Sequence, residues 1–201
     1  MDTVNVLLSR SCSVLLASGS PRRQELLQQI GVDFDRVVVD VAEIRQPGET
    51  PESFVVRVAG DKAAAGRQQR LDDPRPVIGA DTAVVLGNQV FGKPQDYDHA
   101  AEMLRALSGV THKVLSAVVV VPQQGEPLLA VCASDVTFRA ISEAEISAYW
   151  QTGEPLGKAG GYAIQGRAAL FVERLVGSYS AVMGLPLFET ARLLETALAN
   201  G

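Results

Sequence analysis

Short apolar segments alternate with segments of helical periodicity along almost the whole of this 201-residue chain. The strand-like runs are clearest at 77–86, 113–121 and 128–139, and helical spacing is clearest at 50–69 and after 185. Such alternation is typical of α/β domains, whereas the short turn-rich link between the two later strands indicates antiparallel pairing. We therefore expect one domain over residues 1–201 with an α/β fold, in which helices flank a central mixed, twisted sheet.

Turn and cap residues set most of the expected boundaries. Ser20 and Pro21 suit the first positions of a helix, and Gly87-Asn88 suits a two-residue hairpin turn. A capping-box pattern begins at Ser142. The predicted strands are 14–17, 36–41, 77–86, 89–92, 113–121, 128–139, 169–175 and 179–182. The predicted helices are 21–31, 50–69, 98–107, 142–150 and a last one from 185–186 with Leu187, Ala191, Leu194 and Leu198 on one face.

Composition excludes several classes of protein. With 18 Lys and Arg against 23 Asp and Glu, the formal charge is -5, so the chain lacks the basic field of a nucleic-acid-binding protein. Its longest aliphatic stretch, 117–121, is far shorter than the ~20 residues that cross a bilayer. Cys12 and Cys132 form no CxxC pattern, which argues against a zinc or redox site. We expect a cytoplasmic protein that binds neither nucleic acid nor membrane.

The first candidate site is the turn SGSPRR at 18–23, between the first predicted strand and helix. Ser18 and Ser20 are small enough to let a ligand approach the backbone. Arg22 and Arg23 stand where the helix macrodipole favours acids, and each costs about 0.3–1 kcal/mol unless an anion binds there. Free N–H groups and two guanidinium groups suit a polyphosphate. The alternative is an ordinary capped helix with solvated arginines.

Two charged residues interrupt apolar patterns in the middle of the chain. Lys62 lies on the apolar face of the predicted helix 50–69 and either extends to the rim or binds a substrate phosphate. Asp81 breaks the strand 77–86, followed by Thr82, and a buried carboxylate needs a metal, a cation or hydrogen-bond donors unless its role is purely structural. Asp81, with Glu43 as a companion, is the best candidate for a magnesium ligand or for a base that activates water.

Two later segments contribute further candidates. The hairpin after Asp81 returns Lys93 towards it, where this lysine could neutralise phosphate charge or remain a surface residue. The glycine-rich segment 157–166 contains Lys158, and its Gln165 amide could read a base edge or simply belong to a loop. Together these candidates share one chemistry, cations around a carboxylate, and indicate a nucleotide polyphosphate as ligand.

Seven short motifs follow one another over about residues 15–194. In chain order they are SGSPRR, DKA at 61–63, GADT, GKP, LSGxTH, KAGGYxIQG and VMGLP. In this they resemble the Maf (septum formation inhibitor) family of nucleoside triphosphate pyrophosphatases. The resemblance implies a two-lobed α/β fold with a cleft between the lobes. It also implies hydrolysis of a nucleoside triphosphate to monophosphate and pyrophosphate, dependent on Mg²⁺ or Mn²⁺, and it is compatible with a homodimer.

The resemblance further assigns roles to individual residues. It implies that Asp81 accepts a proton from the attacking water, and that the phosphates are held by Arg23, Lys62 and Lys93. It implies that substrate choice rests on Arg22, Thr82 and Gln165, a combination similar to that of the dTTP and UTP branch. Ala42-Glu43 replaces the Asp-Glu of many members, so the metal ligand set departs from the family pattern. Modified pyrimidine triphosphates would fit a housecleaning role.

Two other functions stay open from the sequence. One is hydrolysis of a purine substrate such as 7-methyl-GTP or inosine triphosphate. The other is a nucleotide-sensing regulator of cell division that binds without turnover, although a retained Asp81 argues against it, because a carboxylate without a metal weakens binding of a polyanion.

Overall fold

The computed structural model describes residues 12–199. The strands of this part of the chain are β1 (Cys12–Leu16), β2 (Val32–Arg36), β3 (Val77–Leu86), β4 (Gln89–Phe91), β5 (Thr111–Val121), β6 (Leu128–Phe138) and β7 (Val172–Val176). The helices are α1 (Pro21–Gln29), α2 (Pro51–Gln68), α3 (Tyr97–Leu107), α4 (Glu143–Gln151), α5 (Tyr179–Met183) and α6 (Leu187–Ala199). Two short 3-10 turns, Ala159–Gly161 and Arg167–Leu170, lie in the later part. None of these helices is long and apolar enough to cross a membrane.

The strands form one mixed sheet in the order β2-β1-β3-β5-β6-β7, with β4 paired to β3. β1 runs parallel to β2 and β3, while the pairs β3–β5, β5–β6 and β6–β7 are antiparallel. The predicted α/β fold with a mixed sheet flanked by helices is therefore confirmed. The division into two lobes stays a prediction.

One edge of β3 has a gap in its pairing. β1 pairs with β3 only at Val77 and Ile78, and β4 pairs with it from Val84 onward. Among residues 12–199, no strand covers the intervening edge, which includes Asp81. The opposite edge is paired with β5 throughout 77–85. The gap opens a cleft at the centre of the sheet and exposes to it the residues of the middle of β3.

Helix α2 packs unusually close to β3 because β3 carries a glycine at the crossing. A Cβ added to Gly79 would lie 2.3 Å from the carbonyl oxygen of Ala59 and 2.5 Å from the amide nitrogen of Ala63. Only a residue without a side chain allows this approach. Because Lys62 is next to Ala63 and Asp81 is two residues after Gly79 on the same face of the strand, the close packing brings these two charged side chains together.

Most predicted elements are present, including strand 77–86 with its predicted bounds, but two predictions are wrong. The predicted strand 36–41 is instead β2 at Val32–Arg36, because Arg36 pairs with Leu16, the last residue of β1, and among residues 12–199 no strand continues the pairing beyond it. The run that follows is not a strand, and Val38 is 75% exposed.

The predicted strand 179–182 is the short helix α5, and Ser178 caps it by accepting a hydrogen bond from the Ala181 amide. The predicted strand 169–175 begins later, at Val172, because the preceding residues form a 3-10 turn. On the last helix, Leu194 is fully buried, whereas Leu198 is 42% exposed.

Candidate active site

A cavity of about 760 Å³ opens beside the unpaired edge of β3. Every candidate residue from the sequence lines it, although the candidates come from six separate parts of the chain. They are Ser18, Ser20, Arg22, Arg23, Glu43, Lys62, Asp81, Thr82, Lys93, Lys158 and Gln165. The cavity therefore collects both charged and neutral polar groups at the centre of the sheet.

Four charged side chains form a continuous chain of ion pairs along one wall. The ammonium nitrogen of Lys62 lies 2.8 Å from Oδ1 of Asp81 and 2.6 Å from Oε1 of Glu43. The ammonium nitrogen of Lys93 lies 2.7 Å from the other oxygen of Glu43. The hairpin thus returns Lys93 to this wall, as expected, but it meets Glu43 directly, and Asp81 only through Lys62.

Burial makes these contacts energetically important. Asp81 and Lys62 are 7% and 8% exposed, and each would be costly to bury without an opposite charge. Partial burial raises the pKa of Glu43, but hydrogen bonds from Lys62 and Lys93 outweigh it and lower that pKa to about 2. Lys62 does not extend to the rim. It is an inward lysine whose partners are two carboxylates.

The SGSPRR turn contributes a second, cationic wall. Arg23 is buried, donating from Nε to the Gly184 carbonyl at 2.8 Å and from Nη1 to the Ser18 hydroxyl at 3.1 Å. The Ser18 hydroxyl also accepts the Ser20 amide, and the Ser20 side chain makes no capping bond to its own helix. The turn is therefore held by Ser18, and Arg23 is fixed before any ligand binds.

Arg22 and Lys158 extend this wall. Burial lowers the pKa of Arg22, and the nearby charge of Arg23 lowers it further. Burial and the charge of Arg22 likewise lower the pKa of Lys158. Arg22 therefore repels both Arg23 and Lys158, and an anion bound beside Arg22 would relieve that repulsion.

The loop that carries Gln165 is fixed by an acid that the sequence interpretation missed. The Glu154 carboxylate accepts hydrogen bonds from the Tyr149 hydroxyl at 2.6 Å and from the amides of Arg167 and Ala168. The Tyr149 hydroxyl in turn accepts the Ala163 amide at 3.2 Å.

The same carboxylate lies directly against Gly166. A Cβ on Gly166 would be 2.3 Å from Oε2 of Glu154, so any other residue there would displace the carboxylate from the Arg167 amide. Gln165 is thus presented to the cavity from a loop anchored on both sides. The only sequence signal for this clamp is an acid at the start of a glycine-rich segment, which by itself indicates nothing about its partners.

Asp81 and Glu43 could hold a divalent cation only together with oxygens from a bound substrate and water. Residues 12–199 contain no cluster of three or more His, Cys, Asp or Glu side chains placed to hold a metal. Asp81 and Glu43 do converge, since oxygens of both lie within hydrogen-bond distance of the one ammonium group of Lys62. Mg²⁺ commonly takes one or two carboxylates together with substrate phosphate oxygens and water, and this pair matches that pattern.

A sequence model described as Maf-like protein matches residues 13–197. The chain belongs to the Maf-like family. It is 57% identical over 181 residues to a dTTP/UTP pyrophosphatase of Xanthomonas campestris pv. campestris, covering 89% of this chain and 95% of that one. It is 54% identical to one of Alkalilimnicola ehrlichii (90% and 91% covered) and 53% identical to one of Shigella boydii serotype 4 (91% and 92% covered).

Solved structures share the fold at much lower sequence identity. A HAM1 protein from Coxiella burnetii superposes with a TM-score of 0.52 at 16% identity, covering 94% of this chain and 100% of that one. The Staphylococcus aureus Ham1 protein gives a TM-score of 0.52 at 11% identity, covering 94% and 98%. The Maf-like chain therefore has an α/β architecture that extends beyond close sequence relatives.

Proposed function

We propose that this Maf-like protein hydrolyses dTTP and UTP to the nucleoside monophosphate and pyrophosphate. Relatives at 57%, 54% and 53% identity carry the name dTTP/UTP pyrophosphatase. The structural observation that carries the proposal is the buried carboxylate of Asp81, which shares Lys62 with Glu43 in a cavity bordered by further cations.

The cationic groups supply the binding of the triphosphate. Arg22, Arg23 and Lys158 line the cavity and offer N–H groups to phosphate oxygens. Lys93 is half exposed, and its one ion pair in the part of the chain that the structure describes is with Glu43, so it can turn to a phosphate at little cost. Because Arg23 is already held by Ser18 and Gly184, it stabilises charge that develops in the transition state without reorganising.

Asp81 is the proposed proton acceptor. A water molecule attacks the α-phosphorus, its proton passes to the Asp81 carboxylate, and the bond from the α-phosphorus to the bridging oxygen breaks as pyrophosphate leaves. Lys62 holds one Asp81 oxygen and so fixes the orientation of the carboxylate. Positioning and electrostatic stabilisation would account for most of the rate.

Asp81 and Glu43 are also the residues that would hold Mg²⁺ or Mn²⁺ together with substrate oxygens. When bound, such an ion neutralises phosphate charge and lowers the pKa of coordinated water. Lys93 would then no longer be needed to neutralise Glu43 and would be available to the phosphates.

The test is pyrophosphate release from dTTP, UTP, CTP and 7-methyl-GTP with Mg²⁺, with Mn²⁺ and without either. The wild type should act on dTTP and UTP, and Asp81→Asn should lower kcat by a factor of ~10²–10⁴. Asp135→Asn is the matched control, because Asp135 lies on β6 in an exposed pair with Lys113 and does not line the cavity.

Three other results of this assay would each contradict a different part of the proposed function. Undiminished release by Asp81→Asn would remove Asp81 from the mechanism. Release from 7-methyl-GTP alone would replace the pyrimidine substrates by a purine. Binding of dTTP with metal but without release of pyrophosphate would indicate a regulator that senses nucleotides.

A further inference from the structure

The neutral polar side of the cavity is built on the opposite face of β3 from Asp81. Thr82 lies there, directly across from Ser116 of β5, and their hydroxyl oxygens are 2.8 Å apart. Thr82 lines the cavity, whereas Ser116 is fully buried behind it. Ser116 therefore does not itself line the cavity, and its hydrogen bond to Thr82 links it directly to a residue that does.

The direction of the Thr82–Ser116 hydrogen bond follows from counting protons. The Ser116 hydroxyl has one proton, and it donates this proton to the Ala181 carbonyl oxygen at 2.6 Å, since a carbonyl can only accept. No proton remains on Ser116 for Thr82. Thr82 must therefore be the donor in the bond to Ser116.

The second neighbour of Thr82 leads to the same conclusion. The Gly184 carbonyl oxygen lies 3.4 Å from the Thr82 hydroxyl, and it already accepts Arg23 at 2.8 Å. Within residues 12–199, both protein atoms in hydrogen-bond contact with this hydroxyl are thus acceptors, so the Thr82 proton points into the protein. Towards the cavity Thr82 presents lone pairs only.

The surroundings of Thr82 suit a flat, largely apolar ring. Val84, on the same face of β3, and its cross-strand partner Val114 both line the cavity. Met183 of α5 and Ile164 of the loop lie on the same lining, whereas the ion pairs of Asp81 belong to the other face of the strand. A nucleobase fits this wall better than a phosphate does.

We propose that Ser116 is a positioning residue that sets base selectivity by making Thr82 an acceptor towards the ligand. Uracil and thymine carry an N–H at ring position 3, which an acceptor satisfies. Cytosine carries a lone pair at the same ring position and leaves two acceptors facing each other. The proposal rests on the proposed function, because it assumes a nucleoside triphosphate as ligand.

The test compares UTP with CTP in wild type and Ser116→Ala. Affinities are measured by calorimetry without divalent metal, and kcat/KM is measured by pyrophosphate release with metal. In Ser116→Ala the Thr82 hydroxyl loses its acceptor on β5, and the long contact to the Gly184 carbonyl, at 3.4 Å, is left to compete with donation to a base. We expect the preference for UTP over CTP to fall about tenfold, within the range for one mismatched buried hydrogen bond.

Two controls separate positioning from a general structural effect. Ser134→Ala also removes a buried serine hydroxyl, which bonds the Ser178 backbone and does not line the cavity, so its preference should match wild type. In a Thr82→Val background, Ser116→Ala should change the preference no further, because Ser116 acts through Thr82. The Ala181 carbonyl keeps a partner in Ser116→Ala, since the Gly184 amide donates to it at 3.0 Å.

A preference within twofold of wild type in Ser116→Ala would overturn the proposal, as would an equal loss in the Thr82→Val background. A shift towards UTP would also overturn it, since Thr82 would then contact a different edge of the base. A wild type that releases no pyrophosphate would refute the proposed function, and the ratio of UTP to CTP affinities would still decide the role of Ser116.

Discussion

Gly79→Ala should loosen the contact between α2 and β3 and thereby disturb the pairing of Lys62 with Asp81. The new Cβ would lie 2.3 Å from the Ala59 carbonyl oxygen, well under the 3.0 Å below which a Cβ contact forces something to move. The obstacle is backbone, which cannot rotate away, so the helix must retreat from the strand. Overpacking of this kind costs about 1–3 kcal/mol.

Urea unfolding gives the measurement, and Gly60→Ala gives the matched control in the same helix. A Cβ on Gly60 meets nothing within 4 Å, and alanine is a better helix former by roughly 0.5–1 kcal/mol, so Gly60→Ala should be slightly more stable than wild type. For a chain of this size, each kcal/mol lost by Gly79→Ala should lower Tm by roughly 2–4 °C.

Activity supplies a second measurement on the same pair. At a temperature where all variants are folded, Gly79→Ala should lower kcat because the Asp81 carboxylate is no longer held, and Gly60→Ala should not. Gly79→Ala with the stability and kcat of Gly60→Ala would refute the packing argument, and with it the claim that this glycine sets the geometry of the site.

Three further expectations follow from the contacts or the burial of other single residues. The pKa of Glu43 is lowered from its usual 4.5 to about 2, so the stability that ionised Glu43 gives the folded protein is complete above about pH 4.5 and is lost as the pH falls through about 2. Glu43→Gln should remove this contribution from an acid-unfolding profile. Burial lowers the pKa of His112 from 6.5 to about 4, so its ring resonances in NMR should not titrate between about pH 7 and pH 5, and a clear titration there would contradict its burial. Tyr149→Phe should lower the free energy of unfolding, measured in urea, by about 1–3 kcal/mol, because Glu154 and the Ala163 amide both lose a buried partner. An unchanged free energy of unfolding would mean that these hydrogen bonds do not hold the Gln165 loop in place.

Much of the fold could be predicted because its signals are local. The acid within the apolar run 77–86 and the Gly87-Asn88 turn depend only on neighbouring residues, and the structure has that strand with its predicted bounds. The misplaced β2 shows the limit of such signals. The three valines at 37–39 look like a strand, yet β1 ends at Leu16, which accepts the Val37 amide and leaves nothing on β1 for Val38 and Val39 to pair with. Strand length is a property of both partners.

The sequence by itself determined which chemical groups this protein has available, namely the cationic SGSPRR turn, the inward Lys62 and the acid in β3, since residue type and periodicity are properties of the chain. Only the tertiary structure decided how they are paired. The contacts of Lys62 with Asp81, Thr82 with Ser116 and Lys93 with Glu43 join residues 19, 34 and 50 positions apart. The direction of a proton or the partner of a buried charge depends on which atoms meet in space, and that is set by sheet order and by the close approach at Gly79.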